Sequence, residues 1–268
     1  MAELITERIR RNARELKLYG LCEAADELVE RAEQAQLGYR EFLDLVLEDE
    51  AGLLEGRRYA SRLKLSALPH HKTLDDFDAA FQPELDTKRL GELRTLRFLE
   101  RRVSLLIFGP PGVGKSHIAV GLGMEALRRG YLIRYTTLDD LVRSLREADA
   151  LGKLRQRLAQ LQRPQLLILD EAGFLPLDRP DANRLFQVVS RRYTRGSTIV
   201  TSNKSASELS ELFGDEVLAA AILDRLLHDA EVLTINGPSY RLKGRLEQLR
   251  ATSETGLEGP NGPDRSIA

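Results

Sequence analysis

The sequence predicts an α/β protein: a parallel five-stranded sheet between helices, preceded by a small all-helical domain. Two observations carry that prediction. From residue 103 onward, short apolar runs of strand type alternate with helical patterns, and strands separated by helices pair in parallel, with helices covering both faces. Upstream, apolar residues recur at near-helical spacing from Glu3 to Leu65, the pattern of packed helices.

In order along the chain, Ile5, Ile9, Ala13 and Leu16, then Leu21, Ala25, Leu28 and Ala32, then Phe42, Val46 and Leu53 mark three helices, with breaks at Gly20 and Gly38. The third is long and ends in Arg57, Arg58, Arg62 and Lys64 before Pro69. Such a run either complements the helix dipole on a solvated face or contacts DNA. The helical domain is expected over 1–68 and a linker without clear period over 69–84, where His70 and His71 read as solvated surface. The core is expected over 85–250. It begins with a helix from Asp86 to Arg101, then the strand Val103–Phe108, a helix from Lys115 to Arg129 and the strand Tyr131–Tyr135. Helices follow between Leu138 and Leu161, then the strand Leu166–Leu169, a helix near Asn183–Tyr193, the strand Ser197–Thr201, a helical region to Leu227 and the strand Glu231–Ile235. Residues 251–268, rich in Gly, Pro, Ser and acidic residues, are expected to be disordered.

The 268 residues carry 40 Lys+Arg against 41 Asp+Glu, a formal charge of −1. Any nucleic-acid binding must therefore come from local patches and not from a global basic field. The single cysteine, Cys22, excludes an intramolecular disulfide, and no Cys/His set has zinc-ligand spacing. No segment reads as a membrane span or as the apolar core of a signal peptide, so the expected location is the cytoplasm.

The strand-like run before Gly109 leads into Gly109-Pro110-Pro111-Gly112-Val113-Gly114-Lys115-Ser116, which has the spacing G-x-x-x-x-G-K-[ST]. Glycines let such a backbone curl, so that successive N–H groups and the positive end of the next helix face phosphates. Lys115 is expected to reach the β- and γ-phosphates, and Ser116 to help hold Mg²⁺. His117 completes the expected nucleotide-contacting set. The motif predicts binding of ATP or GTP. Leu166-Leu167-Ile168-Leu169-Asp170-Glu171 then reads as a buried strand ending in two carboxylates, and the carboxyl ends of strands in an open α/β sheet lie beside the phosphate loop. Asp170 is the expected Mg²⁺-side carboxylate, acting through water, and Glu171 the expected general base for an attacking water. The strand Ser197–Thr201 ends at Ser202-Asn203, where the amide either orients that water or caps the next helix. Arg225, in the apolar stretch Val217–Leu227, is either a salt-bridged structural residue or an arginine finger for a neighbouring subunit.

Phosphate loop, Asp-Glu strand end, Ser-Asn strand end and late arginine, in this order, resemble the AAA+ ATPases. More closely, the chain resembles the IstB-type transposition helper ATPases, which are similar in turn to DnaC-type helicase loaders. The likeness runs through Lys72-Thr73-Leu74-Asp75-Asp76-Phe77-Asp78, Gly109–Gly121, Leu167–Asp178, Arg191-Arg192-Tyr193, Thr198–Asn203, Ala220–His228 and Ser239-Tyr240-Arg241-Leu242-Lys243. It implies an ATP-dependent homo-oligomer on duplex DNA that helps a transposase engage its target, a helicase loader being the alternative. It further implies Asn203 as sensor, Arg225 as a finger acting in trans and Arg241 as a second sensor on the nucleotide. Arg143, Arg146, Lys153, Arg155 and Arg157 fall where initiator-type relatives would place DNA contacts, and they read equally as a solvated helix face. The chain departs from the family at Lys204-Ser205-Ala206-Ser207-Glu208-Leu209, where relatives carry bulkier apolar and aromatic residues. It also has little sequence after Ile235 for a helical lid. A metabolic kinase is disfavoured, because a water-activating Glu171 would work against an enzyme that must exclude water.

Overall fold

Three helices account for the N-terminal stretch: α1 (Ala2–Glu15), α2 (Tyr19–Gln34) and α3 (Tyr39–Ser66). The computed structural model describes residues 2–173 and 176–243. Phe174, Leu175 and the expected tail, 251–268, lie outside those residues, as does the end of the expected core range. The first compact unit comprises residues 1–64 and buries Ala13, Ala25 and Leu28. Left-handed Lys17 and Gln36 turn the chain between its helices. Helix α2 has Leu18 at its N-cap position, which offers no side-chain cap. Instead the Leu21 N–H donates to Glu50 of α3 at 2.8 Å, and Glu50 is itself buried. A tertiary carboxylate thus satisfies a helix-end donor that local sequence leaves open.

The second unit, from Leu65 onward, is a five-stranded parallel sheet in the order β2-β3-β4-β1-β5. Its strands are β1 (Leu105–Phe108), β2 (Ile133–Thr137), β3 (Leu166–Ala172), β4 (Ser197–Ser202) and β5 (Glu231–Thr234). The register pairs Leu105 with Ile199 and Glu231, Ile133 with Leu166, and Leu166 with Ser197. Strands β1 and β4 are buried along their whole length, as expected of strands covered on both faces.

Helices α4 (Thr87–Arg94) and α5 (Arg97–Glu100) replace the single helix expected over 86–101. The break is Leu96, left-handed at φ 62 and 1% exposed. Leu93, Leu96 and the adjacent pair Phe98 and Leu99 are all buried, and the kink turns the chain so that they share one interior. Helices α6 (Lys115–Arg128), α7 (Leu138–Ala150), α8 (Leu154–Gln162), α9 (Arg179–Arg192), α10 (Ala206–Ser210) and α11 (Glu216–Leu227) complete the unit. Thr137, Asp178, Ser205 and Asp215 cap α7, α9, α10 and α11 through side-chain oxygens, the residue types that accept from first-turn N–H groups.

Arg192, 3% exposed, donates to the carbonyls of Leu161, Pro164 and Ser197 at 2.8, 2.9 and 2.6 Å. It ties the end of α8 to the starts of β3 and β4, and burial lowers its pKa to about 10. The outcome of this scaffold is a row of strand tips. Phe108 pairs with Ser202 and Thr234, and Thr137 with Asp170, so the carboxyl ends of the strands converge on one edge.

Candidate nucleotide site

Strand β1 runs directly into the loop. The Gly109 N–H still donates to the Ser202 carbonyl at 3.2 Å, and a Cβ on Gly109 would overlap the Ile235 carbonyl oxygen. The loop ends at Gly114, which takes φ 102 and supplies no side-chain cap to α6. Phe77 packs where a Gly114 side chain would be. The first-turn N–H groups of α6 are therefore left to an anion, whose charge the helix dipole also favours.

Lys115 is half-buried and curls over the loop, its Nζ donating to Gly109 O at 2.7 Å and Pro110 O at 2.8 Å. Desolvation holds its pKa below the ordinary lysine value, with Arg241 adding to the effect and Asp170 opposing it. Asp170 is 2% exposed and accepts from Ser116 Oγ at 2.9 Å, from the Tyr135 hydroxyl at 2.7 Å and from Thr201 Oγ1. Burial and the bond to Asp170 push the Tyr135 phenol up, so it stays a donor.

This donor set fits Mg²⁺. Mg²⁺ is a hard cation that takes oxygen ligands from one or two protein groups, phosphate and water, and the Ser116 hydroxyl and the buried Asp170 carboxylate, bonded at 2.9 Å, are such groups beside the loop. Among the described residues no cluster of three or more acidic, His or Cys ligands forms. A cation here would thus be completed by phosphate and water, as is usual for Mg²⁺.

Glu171 follows in the left-handed conformation, φ 60, where the register between β3 and β4 shifts. Its N–H donates to Thr201 Oγ1 at 3.0 Å, while its side chain is exposed and lines the cavity beside the loop. A non-glycine residue at positive φ inside a strand re-aims its side chain at a local cost. Asn203 lines the same cavity. Its Oδ1 is buried and has no hydrogen-bond partner among the described residues. The cap of α10 is Ser205, in a reciprocal capping box with Glu208, so Asn203 does not cap that helix.

The cavity measures about 820 Å³ and is lined by Lys115, Ser116, Glu171, Asn203 and Arg241 together with loop residues Pro111, Gly112 and Gly114. That volume suits a nucleotide. One wall comes from the segment read as a linker: His71, Lys72, Asp76, Phe77 and Asp78 all face the cavity. Phe77 is buried and meets the His117 ring edge-on at 5.4 Å, while His117 Nε2 lies 2.8 Å from the Thr73 carbonyl. Irregular backbone carries no periodicity, so this wall was visible beforehand only as the Lys72–Asp78 resemblance. Tyr135 carried no signal, since inside a strand it passes for packing, and Thr201 was marked only by the Thr198–Asn203 resemblance.

Arg225 lies elsewhere. It lines a separate cavity of about 140 Å³ with Ser104 and Thr198, at the amino ends of β1 and β4. The four residues of β1 put about 13 Å of strand between that end and the loop, at about 3.3 Å per residue. Arg225 Nη1 donates to the Ala221 carbonyl at 2.8 Å, and the guanidinium sits 4.8 Å over the Phe186 ring. No ion pair among the described residues includes it.

The five basic residues of α7, α8 and their junction differ among themselves. Arg146 Nε bridges both oxygens of buried Asp181 at 2.8 Å, and Arg157 Nε and Nη2 donate to Ser144 Oγ at 3.2 and 3.0 Å. Arg143 pairs with Asp140 and Asp139 on its own helix. Lys153 and Arg155 are exposed and enter no ion pair among the described residues.

A parallel sheet in this order, with the phosphate loop after β1, the acidic pair on β3 and a polar amide after β4, defines a P-loop domain of AAA+ type. Its family follows from comparison: the IstB-like ATP binding protein family matches residues 11–248, and the chain belongs to it. It is 45% identical over 237 residues to the ATP-binding protein of insertion sequence IS5376 from Geobacillus stearothermophilus, covering 88% of this chain and 94% of that one. It is also 45% identical over 240 residues to the insertion sequence IS21 ATP-binding protein of Pseudomonas aeruginosa, covering 90% and 91%. Among solved structures it is similar to the DnaC helicase loader, with a TM-score of 0.50 and 23% identity over 61% of this chain and 96% of that one, a likeness of fold. No helix among the described residues is long and apolar enough to cross a membrane.

Proposed function

We propose that the protein is an ATPase that binds ATP and Mg²⁺ in the loop cavity, assembles into an oligomer on duplex DNA and assists a transposase in engaging its target. The observation that carries this reading is the separation of parts. Lys115, Ser116, Glu171 and Asn203 line one cavity, with buried Asp170 bonded to Ser116 behind it, while Arg225, the candidate finger, lies at the opposite end of the same sheet. On this reading Arg225 acts on a neighbour's cavity and not on its own, which ties hydrolysis to assembly.

Within the cavity, Lys115 and the α6 N–H groups orient the phosphates, and Ser116 and Asp170 hold the cation. When bound, the cation neutralises charge developing on the phosphate oxygens. Glu171 accepts the proton of the attacking water, and Asn203 holds that water in line. The names of the insertion-sequence relatives support the transposition role, and exposed Lys153 and Arg155 are the first residues to examine for phosphate contacts.

The test is DNA binding by the Glu171→Gln protein, with labelled duplex and single strands, in ATP and in ADP. The proposal expects tight duplex binding that requires ATP. Preference for single strands would favour a helicase loader, and no binding of either DNA would overturn the DNA-acting reading.

A further inference from the structure

Two segments outside the sheet wall the nucleotide cavity, one before α4 and one after β5, and they are tied to each other at several points. The Tyr240 hydroxyl donates to the Asp78 carbonyl, and the Tyr240 ring packs on Phe77 and Phe81 with centroids at 5.6 and 4.6 Å. Lys243 Nζ donates to the Asp78 carboxylate at 3.0 Å. The Tyr240 N–H donates to the Gly112 carbonyl at 2.9 Å, joining this segment to the phosphate loop. The remaining tie is Gln82, 1% exposed, whose Nε2 donates to the Pro238 carbonyl at 2.8 Å.

These ties are unequal. Asp78 and Lys243 are partly solvated, and such pairs contribute little. Gln82 is in the interior, where a hydrogen bond is electrostatically stronger. Its orientation is set by its partner, since the reversed amide would face one oxygen with another. Its Oε1 lies against Gly237 and has no donor among the described residues. Gln82 does not line the cavity, but Arg241, three residues after Pro238, does, together with Lys115, and after desolvation its charge is the other influence that lowers the Lys115 pKa.

We propose that Gln82 is a positioning residue for Arg241: by holding the Gly237-Pro238 turn against the segment before α4, it sets the Arg241 guanidinium beside Lys115 at the phosphate end of the cavity. The inference rests on the nucleotide reading of that cavity. It gives the segment read as a linker a definite task, to register the end of the core against the phosphate loop.

The test is a double-mutant cycle with Gln82→Met, Arg241→Gln and the pair, read by affinity for a non-hydrolysable ATP analogue and by thermal melting. Arg241→Gln should weaken binding about tenfold or more, the loss of a charge-assisted hydrogen bond. Gln82→Met should weaken it about three- to tenfold in the wild-type background and not at all beside Arg241→Gln, because no cation is left to position. Its melting temperature should stay near wild type, since loss of one buried bond is offset by removal of an unpartnered acceptor. Should Gln82→Met fold poorly, Gln82→Leu repeats the cycle with a different apolar shape and no buried charge. Equal losses in both backgrounds, or wild-type affinity in Gln82→Met, would overturn the positioning role. Failure of the wild-type protein to bind the analogue would instead overturn the nucleotide reading itself, and this inference with it.

Discussion

Replacing Arg146 with Met separates a structural guanidinium from a DNA contact. The Asp181 side chain is 0% exposed, against 57% for Arg146. Both donors to Asp181 Oδ2 come from Arg146, while Oδ1 keeps Arg184 Nη1 at 2.8 Å. The variant therefore leaves one buried carboxylate oxygen without a donor. Leaving a buried acceptor such as Asp181 Oδ2 without a donor costs about 1–3 kcal/mol, and with Arg184 retained on Oδ1 the expected loss is about 2 kcal/mol. For a unit of this size that corresponds to a fall of about 4–8 °C in melting temperature. Its pH dependence has a definite sign. The bond from Arg146, ahead of the other causes, holds the Asp181 pKa below the usual carboxylate value. The stabilisation is thus full above the unfolded Asp pKa of about 3.9 and disappears as pH falls through the lower folded value. Thermal melting of both proteins between pH 7 and pH 2 measures this. A gap at neutral pH that closes in acid is the expected result. Unchanged stability at pH 7 combined with weakened DNA binding would refute the reasoning and make Arg146 a phosphate contact.

Other substitutions probe the cavity and the candidate DNA surface. Lys115→Ala should abolish nucleotide binding measured by fluorescent ATP, and retained affinity would remove the loop assignment. Glu171→Gly and Glu171→Ala should both lack hydrolysis. The glycine variant should be more stable than alanine by about 1 kcal/mol, because position 171 is left-handed and only glycine adopts that conformation without cost; equal melting temperatures would argue against strain there. Lys153→Ala with Arg155→Ala should leave melting unchanged and reduce the slope of log K against log salt on duplex DNA by about 0.9 for each phosphate no longer neutralised, whereas an unaltered slope would place the DNA-binding residues elsewhere.

Much of this fold was legible because its strands are buried on both faces. The runs at Leu105–Phe108 and Leu166–Leu169 are continuous apolar segments, and the loop motif lies immediately after the first of them. What escaped reading is local geometry set by tertiary packing. Strand β3 runs one residue past the Asp170-Glu171 pair to Ala172, because after the register shift Ala172 pairs again with Ser202 of β4 while Asp170 stays paired with Thr137 of β2. The turn at Leu96 has neither glycine nor proline to announce it; burial of its neighbours forces it. The left-handed Glu171 is equally silent, since the residue there is chosen for its carboxylate and not for its backbone. The wall from His71 to Asp78 has no period, and its role follows from packing against Gly114, His117 and Tyr240, residues distant in sequence. The separation of Arg225 from the loop, by contrast, was implicit in the order of the elements, because the end of a helix preceding a parallel strand lies at the strand's amino end.

The central claim is that one subunit's arginine completes its neighbour's site, and subunit mixing tests it most directly. Arg225→Ala and Glu171→Gln proteins, each nearly inactive alone, are combined in equal amounts with duplex DNA and ATP, and hydrolysis is followed while cross-linking monitors co-assembly. In randomly mixed oligomers roughly a quarter of the interfaces pair an intact Glu171 with a neighbour's intact Arg225, so the mixture should recover a comparable fraction of wild-type turnover. No recovery in demonstrably mixed oligomers would contradict the account.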